Sequence, residues 1–149
     1  MTPSLILASA SPRRRELLAQ LGLDFEVIPS DVPEQPLPTE TAGEFAARVA
    51  RDKAMHVAGQ RLEQWVLAAD TVVVVDGEIL GKPRDRDDAR RMLRLLSGRT
   101  HHVLTAVTLL APGGASADEV VSETTVRFRP VRDQEIEAYL NTDEPFVTG

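Results

Sequence analysis

The sequence predicts an α/β domain: a mixed central β-sheet flanked by helices. Three observations carry this. Short apolar runs of strand type alternate with segments that have helix start and stop signals. Asp76-Gly77 between two apolar runs is a tight-hairpin signal. Two long strand-like runs, 102–110 and 120–128, flank a linker at 111–118 rich in Gly, Ala and Pro, as a hairpin pair would. Alternating βα units give parallel pairs and the hairpins give antiparallel ones, so the sheet is mixed.

The elements follow in order. Residues 5–8 form a continuous apolar run, a buried strand. Ser11 is a good N-cap and Pro12 suits the first helical position, where its missing N–H costs nothing. Leu17, Leu18 and Leu21 give that helix an apolar face, and Gly22 ends it. Residues 25–28 read as a short strand. Pro29, Pro33, Pro36 and Pro38 remove the amide hydrogens that a ladder or helix needs, so a loop follows. Thr41 with Glu44 fits a capping box and opens a helix to about Ala58. Residues 66–75 are the most apolar stretch, and the hairpin turn leads into 78–80. Asp85 caps a helix through Leu96, with Asp87 and Asp88 early and arginines late, as the helix dipole favours. Asp133 is the expected cap of a last short helix to about Leu140.

Composition narrows the function classes. The 149 residues carry 23 acidic and 17 basic side chains, a net charge of −6, and a 42% hydrophobic fraction sufficient for one core, so a single domain over 1–149 is expected. Cysteine is absent, which excludes disulfides, thiolate zinc sites and a cysteine nucleophile. No apolar run approaches the ~20 residues of a membrane helix, and no signal peptide is readable. The expectation is a soluble cytoplasmic protein with no membrane partner. An acidic chain with one Trp and one Tyr is a poor nucleic-acid binder, so none is expected as a partner. Of the 17 basic residues 15 are arginine; Lys53 and Lys82 are the two lysines. Codon bias explains that blandly. The sharper reading is that both sites need a compact ammonium.

Several residues are candidates for chemistry. From Ser9 to Arg15 a strand runs through small residues into a helix start, where free amides and the dipole favour an anion. Arg13, Arg14 and Arg15 oppose that dipole, and a phosphate would reconcile them. A solvated basic helix start is the competing reading. Asp70 interrupts an apolar run, and a carboxylate buried there costs several kcal/mol, of order 2–7, unless it is paired or metal-bound. Satisfaction by turn amides is the alternative. Gly81-Lys82-Pro83 is no Walker-type phosphate loop, because Pro83 follows the lysine. By themselves Lys82 reads as a loop lysine, Glu34 as a solvated loop acid and Lys53 as a surface ion-pair partner. His101 and His102 point to opposite faces of a strand, so no zinc site is expected. Trp65 and Tyr139 read as packing residues.

Together, Ser9-Ala10-Ser11-Pro12-Arg13-Arg14-Arg15-Glu16-Leu17-Leu18, Arg51-Asp52-Lys53-Ala54, Ala69-Asp70-Thr71-Val72-Val73, Leu80-Gly81-Lys82-Pro83-Arg84-Asp85, Met92-Leu93-Arg94-Leu95-Leu96-Ser97-Gly98, Thr105-Ala106-Val107 and Asp143-Glu144-Pro145 resemble the Maf family in order and over nearly the whole chain. These are nucleoside triphosphate pyrophosphatases, historically called septum-formation inhibitors. The resemblance implies an ITPase-like architecture and hydrolysis of a nucleoside triphosphate to monophosphate and pyrophosphate with a divalent cation, Mg or Mn. Arginine at Arg13 and threonine at Thr71 resemble the dTTP/UTP-cleaving subgroup. By resemblance Asp70 is the catalytic acid–base residue, with Lys53 and Lys82 as catalytic cations. Ser9, Arg13, Arg14 and Thr71 would bind substrate, and Glu34 with Asp70 would hold the metal. A homodimer is also implied. The family continues after its Glu-Pro with Gly-Ala-Tyr-Gly-Ile-Gln-Gly and further strands, whereas this sequence stops at Gly149. The C-terminal part of the family domain is therefore expected to be absent, leaving an exposed sheet edge. The alternative function is a catalytically impaired nucleotide-binding or division-regulating module.

Overall fold

The structure is a computed structural model and describes residues 4–9, 11–30, 32–81 and 83–142. Six strands form one sheet: β1 (Leu5–Leu7), β2 (Glu26–Val27), β3 (Trp65–Val75), β4 (Glu78–Leu80), β5 (Thr100–Leu110) and β6 (Ser116–Arg127). Their order is β2-β1-β3-β5-β6, with β4 added to β3. β1 runs parallel to β2 and β3, while β4, β5 and β6 enter antiparallel. The mixed sheet expected from the sequence is present.

Four helices lie among the described residues: α1 (Pro12–Gln20), α2 (Ala42–Ala58), α3 (Arg86–Leu96) and α4 (Asp133–Leu140). α2 begins as the sequence indicates. The Thr41 hydroxyl receives the Glu44 N–H at 3.1 Å, and the Glu44 carboxylate receives the Thr41 N–H at 3.0 Å. Its buried stripe of Phe45, Val49, Ala50, Ala54 and Val57 lies on one sheet face, against Ile6, Val66, Ala68, Val72, Ala106 and Leu110. On β3 that face takes the even-numbered residues, as the two-residue pleat requires. Toward the other end of β3, Val75 and Leu80 pack with Leu96 of α3. α3 in turn packs Ala89 against Ile136 and Leu140 of α4.

Three details differ from expectation. α1 buries none of its residues, and Leu17 and Leu21 are 54% and 72% exposed, so the leucines do not form a core-facing stripe. β6 starts at Ser116, four residues before the apolar run, and the linker shrinks to a 3₁₀ turn at Pro112–Gly114. Its first half is polar because it is the outer strand: paired to β5 alone among the described residues, it has no buried face to demand alternation. Finally, Arg132, not Asp133, is the N-cap of α4, and its N–H is received by the Glu135 carboxylate at 3.2 Å. The Asp76-Gly77 turn is as expected, with both residues at positive φ, 49° and 79°. No helix among the described residues is long and apolar enough to cross a membrane.

Candidate active site

The buried stripe of α2 repeats every four residues through Phe45, Val49, Lys53 and Val57, so Lys53 occupies a core position. The buried face of β3 repeats every two residues through Val66, Ala68, Asp70 and Val72, so Asp70 does likewise. These two charged residues, each 5% exposed, lie on surfaces that pack together. They meet: Lys53 Nζ donates to Asp70 Oδ1 at 3.3 Å. The surface ion pair expected for Lys53 is thus a buried one.

Glu34 completes the group, with Oε1 2.8 Å from Lys53 Nζ. It comes from the proline-rich loop, which is tied down on both sides. Ser30 donates its hydroxyl to the Lys53 carbonyl at 3.1 Å. Arg48 donates to the Gln35 carbonyl at 2.8 Å and to Glu40 at 2.6 Å. The anchors bring Glu34 to Lys53 while its side chain stays partly exposed. Lys53 thus bridges two carboxylates from separate elements.

Arg14 reaches the same place from α1. Its guanidinium donates to the Ala69 carbonyl at 3.2 Å and the Thr71 hydroxyl at 2.8 Å. Burial pulls its pKa down, and the nearby charges of Asp70 and Glu34 push it back up. One of the three arginines that oppose the α1 dipole is therefore turned across to the middle of β3. Arg13 is exposed on the first turn of α1. Ser9 is buried, and its hydroxyl receives the Ser11 N–H at 3.1 Å, so it shapes the turn that sets up α1. Ser11 caps that helix, as expected, by receiving the Arg14 N–H. Lys82 lies outside the described residues, but its neighbours Gly81 and Pro83 line the cleft described next.

A cleft of about 260 Å³ opens beside these groups. Glu34, Asp70 and Thr71 line its polar part, while Phe45, Val73, Leu80, Met92 and Leu93 make it largely apolar. Tyr139 joins them at 37% exposure, which corrects its reading as a packing residue. Trp65 is likewise half out of the core, 40% exposed at the start of β3. The apolar walls were not singled out from the sequence. The signal was available for Tyr139: Ile136 and Leu140, four apart, are the buried residues of α4, and Tyr139, three after Ile136 and next to Leu140, falls at the flank of that stripe. Polar groups converging at one end of an apolar cleft form the arrangement that binds a small molecule with a charged and a flat part.

Burial holds the Asp70 carboxyl above the ordinary aspartate range, and the Glu34 charge adds to this against the opposing Lys53 and Arg14. A pKa higher in the folded than in the unfolded chain makes the folded state the better proton binder. The contribution of Asp70 to stability is then fullest below the unfolded value, about 3.9, and is lost as pH rises through the folded value. Compared with an Asp70→Asn variant, the wild type should therefore lose relative stability as pH rises through that window. Denaturant titrations at several pH values check this, and a difference that is flat or of opposite slope would exclude it.

The two carboxylates fit a divalent cation that draws its other ligands from elsewhere. Among the described residues no three His, Cys, Asp or Glu side chains cluster to hold a metal unaided. Two carboxylates, those of Glu34 and Asp70, do converge on Lys53. Two hard oxygen donors suffice for magnesium, which takes its other ligands from phosphate and water. His101 and His102 do point apart. His101 is buried with its ring edge-on to Phe128 at 4.8 Å, and His102 is within 3.2 Å of the Thr125 hydroxyl.

The chain matches the protein family described as Maf-like protein over residues 4–148. It is 55% identical over 148 residues to a dTTP/UTP pyrophosphatase of Anaeromyxobacter dehalogenans, covering 97% of this chain and 74% of the relative. It is 49% identical over 143 residues to a dTTP/UTP pyrophosphatase of Geobacter metallireducens, covering 95% and 73%. A solved structure, a nucleoside-triphosphatase / dITP/XTP pyrophosphatase from Mycobacterium abscessus, matches at a TM-score of 0.45 and 20% identity, over 81% of this chain and 69% of that one.

Proposed function

The chain belongs to the Maf-like family, and on that premise we propose that it is a dTTP/UTP pyrophosphatase, cleaving the nucleotide to its monophosphate and pyrophosphate. The observation that carries this reading is a carboxylate buried on the sheet face and matched by a helix lysine, at the polar part of a cleft whose wall residue Thr71 receives the Arg14 guanidinium.

In this reading the base occupies the apolar part of the cleft and the triphosphate lies toward α1. Water attacks the α-phosphorus, the bond from that phosphorus to the bridging oxygen of the β-phosphate breaks, and pyrophosphate leaves. Asp70 takes the proton of the attacking water. Its raised pKa suits that task, since a base is most useful when its pKa approaches the working pH. Lys53 stabilises the carboxylate before transfer and offsets phosphate charge afterwards. Arg14, already desolvated, faces the triphosphate as a planar donor fork, with Arg13 and Ser9 adding to the anion site. Lys82 is assigned to the same phosphate charge. Thr71 positions Arg14 and meets the substrate at the cleft wall. Glu34 and Asp70 would hold the divalent cation, Mg or Mn. When bound, such an ion supplies charge neutralisation on phosphate oxygens and a more acidic water. We place the enzyme in the cytoplasm, as a homodimer.

Product analysis across a panel of nucleoside triphosphates tests this. Pyrophosphate and nucleoside monophosphate in equal amounts are expected from dTTP and UTP, with loss on chelation and return with Mg or Mn. Orthophosphate as first product would point to a different phosphohydrolase. Nucleotide binding without turnover would favour the regulatory module.

A further inference from the structure

Thr71 and Thr105 are direct cross-strand partners on β3 and β5. Their hydroxyl oxygens lie 3.1 Å apart, so one donates to the other. Thr71 Oγ1 also receives the Arg14 guanidinium at 2.8 Å. A guanidinium has only donors, so Thr71 must accept there. The Thr71 hydroxyl proton then remains for Thr105, and a hydroxyl that donates is a stronger acceptor. If the proton runs the other way, Thr105 still fixes where the Thr71 oxygen sits. Threonine splits between rotamers more readily than valine, so a partner for its oxygen decides which one is held. Thr105 itself is not among the residues that line the cleft.

We propose that Thr105 is a positioning residue: its hydroxyl holds the Thr71 oxygen toward Arg14 and so fixes the guanidinium at the nucleotide site. The chain of contacts runs from β5 through β3 to α1, and its last member lies among the charges of Asp70 and Glu34. α1 buries none of its own side chains, so these bonds matter more here than for a helix seated in a core. Arg14 also donates to the Ala69 carbonyl, which directs one nitrogen but leaves the plane of the fork to Thr71. The proposal rests on the nucleotide reading given above.

The test is a double-mutant cycle on the full chain, read in two ways. Thr105→Val keeps shape and removes the hydroxyl; Thr105→Ser keeps the hydroxyl. Binding of a non-hydrolysable α,β-methylene analogue of UTP is measured by calorimetry, and UTP turnover is measured in parallel. Thr105→Val is expected to weaken analogue binding and raise KM by about fivefold, the worth of roughly one neutral hydrogen bond, with kcat within about twofold. Thr105→Ser should restore both to within about twofold of wild type, as one hydroxyl replaces another. In a Thr71→Val background, Thr105→Val should add nothing, because its effect passes through Thr71. Wild-type affinity in Thr105→Val, additive effects in the cycle, or failure of serine to rescue would each overturn the proposal. Wild type that binds the analogue without turning over UTP would sink the enzymatic reading while the binding cycle still decides the role of Thr105. Wild type that binds no nucleotide would overturn both.

Discussion

Replacing Asp70 with asparagine should lower turnover by about 10²–10⁴-fold, the usual worth of a positioned proton acceptor, and leave the chain folded. The amide has the shape of the carboxylate but cannot take a proton. The fold should survive for reasons visible in the site. Lys53 keeps Glu34 at 2.8 Å, so no ammonium is stranded. Burial already opposes the charged form of Asp70, so a neutral side chain relieves that cost. The unfolding midpoint at neutral pH should be unchanged or higher. Steady-state kinetics beside a thermal melt checks both halves. If the variant kept more than about a tenth of wild-type turnover, Asp70 would not be the base.

Replacing Lys53 with methionine should have the largest effect on stability. Methionine fits the apolar stripe of α2, but the change leaves Asp70 and Glu34 facing each other without their shared cation. Breaking a buried pair by removing one partner typically costs about 3–5 kcal/mol, because the remaining charge stays desolvated. Glu34 is partly exposed and can turn to water, so most of the cost falls on Asp70. The double variant Lys53→Met/Asp70→Asn should then recover most of the lost stability while remaining inactive. Lowering the pH should also help the single variant, since the stranded carboxyl escapes its cost by binding a proton. Urea titrations of the four proteins decide this. A Lys53→Met protein as stable as wild type, or a double variant no better than the single one, would show that the pair carries no such coupling.

Much of this was legible in the residues, and the exceptions have physical causes. Asp70 declared itself because a lone carboxylate in an apolar strand needs an explanation. Lys53 was equally readable through its four-residue spacing from Val49 and Val57, yet a lysine on a helix beside Asp52 looks like surface until the stripe is traced. Glu34 had no local signal. Its placement depends on Arg48 and Ser30 gripping the loop, contacts made in the third dimension. Thr105 was hidden for the same reason, because strand register is a property of the pair and not of either strand. The start of β6 and the face of α1 failed where the rule of buried periodicity does not apply: one is an outer strand and the other a helix with no buried side chain. The cleft walls were legible as apolar residues but not as walls, since core and pocket use the same side chains.

In the proposed reaction water attacks the α-phosphorus at a centre built on Asp70. Turnover of UTP in ¹⁸O-labelled water, with the products resolved by mass, tests it most directly. One labelled oxygen is expected in the nucleoside monophosphate and none in the pyrophosphate. Label in the pyrophosphate, or in orthophosphate released from the end of the chain, would contradict it.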